Sequence, residues 1–270
     1  MKDFYLIDIE GTIVKDKSFV PIEGAINWIN SFPPEADLTM SEKSKDRKFV
    51  LVSNNTTHRP PDLLGLLRNS GFNVEEENLV TCMGAALNWL KTKKIKNCFV
   101  IGNSQLKAFL NENEIEAKED EKTEAVLVGL DTSLDYRKLK IATNALVKNN
   151  AYLLALHENR LYKDEKGELS PSVGAVVKAL EYSCQKKAKV FGKPNPMFFR
   201  EVLKKLDAKS EDCTMISDDP LSDLLGAKKL GMKTVFVTSG KYKDQEVLKS
   251  LKKKFQPDFI CQTITQVDIR

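Results

Sequence analysis

FYLIDIEGT, residues 4–12, carries four apolar residues into Asp8 and then turns through Glu10, Gly11 and Thr12. A short unbroken apolar run closed by a turn signal reads as a strand. In open α/β sheets, ligands sit outside the carboxyl ends of the strands. Asp8 therefore stands where chemistry is expected. A carboxylate there can act as a nucleophile and accept a phosphoryl group. Glu10, two residues on, can protonate a leaving oxygen and later activate water. Gly11 allows the tight turn these positions need. Taken alone, an aspartate after a strand is also a common turn or cap residue.

The rest of the chain repeats this alternation. KFVLVSN (48–54), NCFVIG (97–102), EAVLVGL (124–130), AYLLALH (151–157), AKVFG (188–192), CTMIS (213–217) and KTVFVTS (233–239) read as strands. Helical patterns fall at 22–32, near 60–70, near 196–206 and between the last two strands. This βαβα order predicts an α/β protein with parallel sheets. Residues 33–47 lack apolar periodicity, carry two prolines and read as a surface insertion.

Three further strand ends carry polar groups. Ser53, Asn54 and Asn55 follow KFVLV and offer hydroxyl and amide donors for phosphate oxygens, or else a capped turn. Lys193 follows FG at 191–192, where its charge can balance a phosphate, restrain a carboxylate or simply face water. SDDPLSD, residues 217–223, gathers Asp218, Asp219 and Asp223 after a strand. Clustered acids suit a hard cation such as Mg²⁺, although Asp219 or Ser222 can equally cap a helix. Together the four places meet the needs of phosphoryl transfer, which are positioning and charge stabilisation.

Composition narrows the alternatives. The 270 residues are 41% hydrophobic, enough for a real core in one or two domains. A net charge of +4, with 30% charged residues of mixed sign, argues against a nucleic-acid partner. KSLKKK (249–254) reads as a solvated helix face. No apolar run approaches the roughly 20 residues that span a bilayer, and the N-terminus is not a signal peptide. Five widely spaced cysteines suit reduced thiols in a cytoplasm. Two histidines are too few and too distant for a zinc cluster.

The four places, DIEGT, SNNT, Lys193 and SDDPLSD, resemble the four signature motifs of the haloacid dehalogenase-like (HAD) superfamily: DxDGT, Ser or Thr with an adjacent Asn, Lys, and GDxxxxD. LVTCMGAALNWLK (79–91), FGKPNPMFF (191–199) and GAKKLGMKTVFVTSGKY (226–242) look like its NagD-type subgroup. Residues 153–184 look closest to the phospholysine phosphohistidine inorganic pyrophosphate phosphatase group. The resemblance implies a Rossmann-like core over 1–77 and 188–270, with an inserted α/β cap of the C2 type over 78–187. It implies that Asp8 attacks phosphorus and that Glu10 serves as acid and base. Ser53 and Lys193, with backbone help from Asn54, would hold the phosphoryl group. Mg²⁺ would lie on Asp8, the Glu10 carbonyl and Asp218, with Asp223 supporting from behind or through water. His157, Asn159 and Arg160 would sit where the cap meets the active site and help choose a small phosphorylated substrate. The state of association is left open, a homodimer included.

Two departures stand out. Glu10 replaces the usual second aspartate and is one methylene longer. A misplacement of 1 Å can cost about 100-fold in rate. Glu10 therefore keeps a second reading in view: a weakly active or non-catalytic relative that binds a phosphorylated ligand or a protein partner. A dehalogenase is a third reading, disfavoured because haloacid dechlorination needs no acid at position 10. Ser217 replaces the usual glycine before Asp218, adding a side chain where backbone can approach closely.

Overall fold

The computed structural model describes residues 3–15, 18–32, 47–163 and 168–268. The stretch expected as an insertion lies outside them, apart from Arg47, which opens a strand. In chain order the strands are β1 (Asp3–Asp8), β2 (Arg47–Ser53), β3 (Leu79–Thr81), β4 (Asn97–Ile101), β5 (Glu116–Lys118), β6 (Ala125–Val128) and β7 (Tyr152–Ala155). There follow β8 (Leu161–Lys163), β9 (Leu169–Pro171), β10 (Lys189–Val190), β11 (Cys213–Ser217), β12 (Lys233–Val237) and β13 (Phe259–Cys261). They belong to two compact units.

The first unit comprises Met1–Ser53, Pro61–Val80 and Lys193–Arg270. Its six-stranded sheet has the order β13-β12-β11-β1-β2-β3. The β1–β2, β1–β11, β11–β12 and β12–β13 ladders are parallel. β1 lies inside this sheet and is buried on both faces, which is why its sequence is nearly continuously apolar. Tyr5, Ile7 and Ile9 enter one core with Phe49, Leu51 and the helix Ala25–Asn30. There Tyr5, Trp28, Phe32 and Phe49 pack edge-on or tilted, with centroids 5.0–6.2 Å apart. Such geometry adds about 0.5–1.5 kcal/mol per pair beyond area burial.

The second unit comprises Asn54–Pro60 and Thr81–Gly192. Its parallel sheet has the order β10-β7-β6-β4-β5. Helices Tyr136–Lys148 and Val173–Cys184 supply Ala142, Ala145, Val177 and Leu180 to its core. β8 and β9 form a small antiparallel ribbon that the alternation of strands and helices did not signal.

Two local expectations are corrected. The 188–192 run was expected to reopen the first unit, yet β10 pairs with β7 in the second. The chain returns to the first unit only at Lys193. The lysine-rich stretch near 249–254 is not one helix. It forms two 3₁₀ turns, Glu246–Ser250 and Lys253–Phe255, separated where Leu251 and Lys252 are extended. Only Leu248 there is buried, so no continuous apolar stripe holds a regular helix, and the lysines remain exposed.

Candidate active site

Parallel register brings three strand ends side by side. Asp8 pairs with Val52 of β2, and Ile7 with Ile216 of β11. Ser53 and Ser217 therefore end the strands flanking Asp8, and Asp218 begins the next turn. After β1 the chain winds about one carbonyl: Ile9 O accepts from the amides of Thr12, Ile13 and Val14 at 3.0–3.2 Å. Gly11, at φ +84°, makes that turn possible. Glu10 is half-buried within it, bridged through its backbone to Val14.

Lys193 crosses beneath this edge. Its ammonium donates to Asp8 Oδ1 at 2.5 Å, Asp223 Oδ2 at 2.7 Å and the Val52 carbonyl at 3.1 Å. Three acceptors match its three N–H groups. The Lys193 side chain is 2% exposed, whereas Asp8 keeps 14%, so the carboxylate remains reachable while its cation does not. Burial opposes the Lys193 charge, but Asp223 and Asp8 outweigh it and hold the ammonium above the ordinary lysine range.

Asp218 is wedged between two backbones. A Cβ built on Gly11 would meet its Oδ2 at 2.1 Å, and one on Gly240 at 1.9 Å. Only glycine fits at either position. The Lys241 amide donates to the same oxygen, and the Ser239 hydroxyl ties the neighbouring loop to the Gly11 carbonyl at 2.7 Å. Burial pushes Asp218 up to about 7, against the Lys241 amide and with help from Asp223 and Asp219. Burial also pushes Asp8 well above the usual carboxylate range; Lys193 pulls it back, while Asp223 and Asp218 raise it further. Asp8 and Asp223 share the buried Lys193 ammonium, and burial disfavours the charged form of both Asp8 and Asp218.

Asp219 takes the capping role. Its Oδ1 accepts from the amides of Leu221 and Ser222, and its Oδ2 pairs with Lys241. Asp223 accepts from Lys193 and from the Ser217 hydroxyl.

The remaining candidates lie in the second unit. Asn54 packs its side-chain oxygen against Gly192, where a Cβ would meet it at 2.3 Å. Asn55 is buried, and its Oδ1 holds the following turn by accepting from Thr57 N, Thr57 Oγ1 and His58 N. His157 is buried, and its Nδ1 accepts from the Asn159 amide at 3.2 Å, which assigns the ring proton to Nε2. Asn159 and Arg160 are anchored by their carbonyls, which accept from Gly174 and Ser172 at the start of a helix. Arg160 itself is exposed. Sequence reasoning missed the Val52 carbonyl, which carries no side-chain signal, and the Gly240–Lys241 loop. That loop's trace was present in the TSGKY stretch.

A parallel α/β unit with a lysine-clamped carboxylate at a strand end defines a hydrolase of the haloacid dehalogenase-like class. Residues 5–116 match the haloacid dehalogenase-like hydrolase family and residues 190–267 a HAD-hydrolase-like family. The chain belongs to this superfamily, near the phospholysine phosphohistidine inorganic pyrophosphate phosphatase group. It is 32% identical to mouse haloacid dehalogenase-like hydrolase domain-containing protein 2 over 88% of this chain and 85% of that protein. It is 34% identical to the phospholysine phosphohistidine inorganic pyrophosphate phosphatase of Xenopus laevis over 67% of this chain and 65% of that one. The fold matches a p-nitrophenyl phosphatase from Archaeoglobus fulgidus with a TM-score of 0.83, at 23% identity over 97% of this chain and 96% of that one. It matches NagD from Escherichia coli K-12 with a TM-score of 0.80, at 23% identity over 99% and 98%. The protein is a phosphohydrolase-type enzyme. Among the described residues no helix is long and apolar enough to cross a membrane, and all five cysteines are free thiols.

Proposed function

We propose that the chain is a Mg²⁺-dependent phosphohydrolase that cleaves small phosphate esters or related phosphorylated compounds through an aspartyl-phosphate. The Lys193–Asp8 contact carries this reading. With Oδ1 held by Lys193, Oδ2 of Asp8 forms the new bond to phosphorus as the bond to the leaving oxygen breaks. The Glu10 carboxyl gives its proton to that oxygen. The Glu10 carboxylate then takes a proton from water, whose oxygen attacks the aspartyl-phosphate. Inorganic phosphate leaves and the Asp8 carboxylate is restored. Ser53, with Asn54 and Asn55 beside it, would hold the phosphoryl oxygens.

The donor set suits the metal. Asp8 and Asp218 offer hard carboxylate oxygens at the end of one sheet, the kind of donor Mg²⁺ takes. Among the described residues no three His, Cys, Asp or Glu side chains form a ready cage. Mg²⁺ needs none, since it commonly takes one or two carboxylates and fills its sphere with water and phosphate oxygens. Asp8, Asp218 and the Glu10 carbonyl would hold it, and it would offset the charge gathering on the phosphoryl oxygens. His157, Asn159 and Arg160 would contribute to substrate choice.

Glu10 supports one other reading, a weakly active relative that binds a phosphorylated ligand or a protein. Phosphate release from p-nitrophenyl phosphate with Mg²⁺ and with excess EDTA separates the two. Turnover only with the metal, lost in Asp8→Asn, is expected. Absence of turnover under both conditions favours the binding reading.

A further inference from the structure

Ser217 is fully buried at the end of β11. Its Oγ accepts from the Asp219 amide at 3.1 Å and lies 2.9 Å from Asp223 Oδ2. A hydroxyl has one proton, and the Asp219 N–H needs an acceptor, so the Ser217 proton goes to the Asp223 carboxylate. The same Asp223 oxygen accepts from Lys193, which in turn holds Asp8. A continuous hydrogen-bond network thus links the Asp219 amide, Ser217, Asp223, Lys193 and Asp8, with Ser217 and Lys193 both donating to Asp223 Oδ2 and Lys193 also donating to Asp8. Glycine at 217 would remove both hydrogen bonds of the hydroxyl, the one from Asp219 N and the one to Asp223.

We infer that Ser217 is a positioning residue for phosphoryl transfer. Its hydroxyl aims the Asp223 carboxylate, which holds Lys193 against Asp8. By bonding both Asp219 N and Asp223 Oδ2, it also closes the turn that presents Asp218. The Ser217 hydroxyl bonds Asp219 N and Asp223 Oδ2, so it acts on Lys193 and Asp8 through Asp223. Without the hydroxyl, a buried carboxylate loses one of its two donors at that oxygen and can rotate. Lys193 then loses the fixed direction of one of its three bonds. The effect falls on the geometry of the nucleophile, not on substrate contacts.

This inference rests on the phosphohydrolase reading, and its test keeps the two apart. Wild type, Ser217→Ala, Ser217→Gly, Asp223→Asn and the Ser217→Ala/Asp223→Asn double variant are assayed with p-nitrophenyl phosphate and Mg²⁺, with thermal melts alongside. Ser217→Ala and Ser217→Gly should lower kcat by about 10-fold, the worth of one hydrogen bond to a charged group. KM should stay within about twofold. In the Asp223→Asn background, Ser217→Ala should cost much less, since residues acting through one another are not additive. Wild-type kcat in Ser217→Ala, or an equal loss in both backgrounds, overturns the positioning role while leaving the phosphohydrolase reading intact. A wild type that releases no phosphate with Mg²⁺ overturns both.

Discussion

Lys193 Nζ lies 2.5 Å from Asp8 Oδ1, although the two residues are 185 positions apart. The contact makes one buried cation the common partner of two carboxylates, Asp8 and Asp223. The site's geometry depends on that cation.

Replacing Lys193 by methionine should therefore injure both stability and turnover. Removing one member of a buried ion pair costs about 3–5 kcal/mol, because the remaining charge loses its compensation. Here two carboxylates lose theirs at once. Turnover should fall at least about 100-fold, the scale of a 1 Å misplacement. Chemical denaturation and kcat for p-nitrophenyl phosphate test both arms; wild-type stability would show that Lys193 does not compensate the cluster.

Asp8→Asn should abolish turnover and yet raise the melting temperature of the metal-free protein at pH 7.5. Folding raises the Asp8 pKa, chiefly by burial. A carboxyl so raised contributes stability below its unfolded pKa and loses it as pH climbs through the folded value. The amide escapes that loss while keeping an oxygen for Lys193. Each 1 kcal/mol gained is worth roughly 2–4 °C in a domain of this size. Near pH 3 the two forms should converge, since Asp8 is then protonated folded and unfolded. Calorimetric scans in EDTA at both pH values measure the difference.

Mg²⁺ binding should weaken as pH falls below about 7, the value to which burial pushes Asp218. A carboxylate must be deprotonated to ligate, so protons and metal compete there. The apparent dissociation constant should rise by up to about tenfold per pH unit in that range. Titration calorimetry from pH 5.5 to 8 reads this directly. Affinity flat across the range would remove Asp218 from the ligand set.

Glu10→Gln should slow turnover by about 10²- to 10⁴-fold, the usual worth of general acid–base help. The loss should be larger for an alkyl phosphate than for p-nitrophenyl phosphate, whose leaving group barely needs a proton. Glu10→Asp shortens the arm by one methylene, and equal or faster turnover is expected. Measuring kcat on both substrates for the three forms decides the role. Equal rates that ignore the leaving group would deny Glu10 any proton transfer.

Local pattern was enough to place the strand before Asp8, the turn at Gly11 and the acids at 218–223. Burial on both faces of β1 demands a continuous apolar run, and such a run is visible without coordinates. The α/β class followed from the same periodicity. What Lys193 does was not visible in this way. A lysine after FG reads equally as a surface charge, and only the packing of β1, β2 and the returning chain puts its ammonium on Asp8, Asp223 and Val52 O. The strand at 189–190 read as part of the first unit because its pattern is the same in either sheet. Pairing with β7 decided otherwise. Ser217 read as a departure that crowds the backbone; the tertiary structure makes it a donor to Asp223. The need for glycine at 240 is set by Asp218, 22 residues earlier in the chain, pressing on its backbone. Solvent exclusion along one segment leaves a periodic trace in sequence. Hydrogen bonds and close approaches between distant segments leave none, because they depend on which strands pair and in what register.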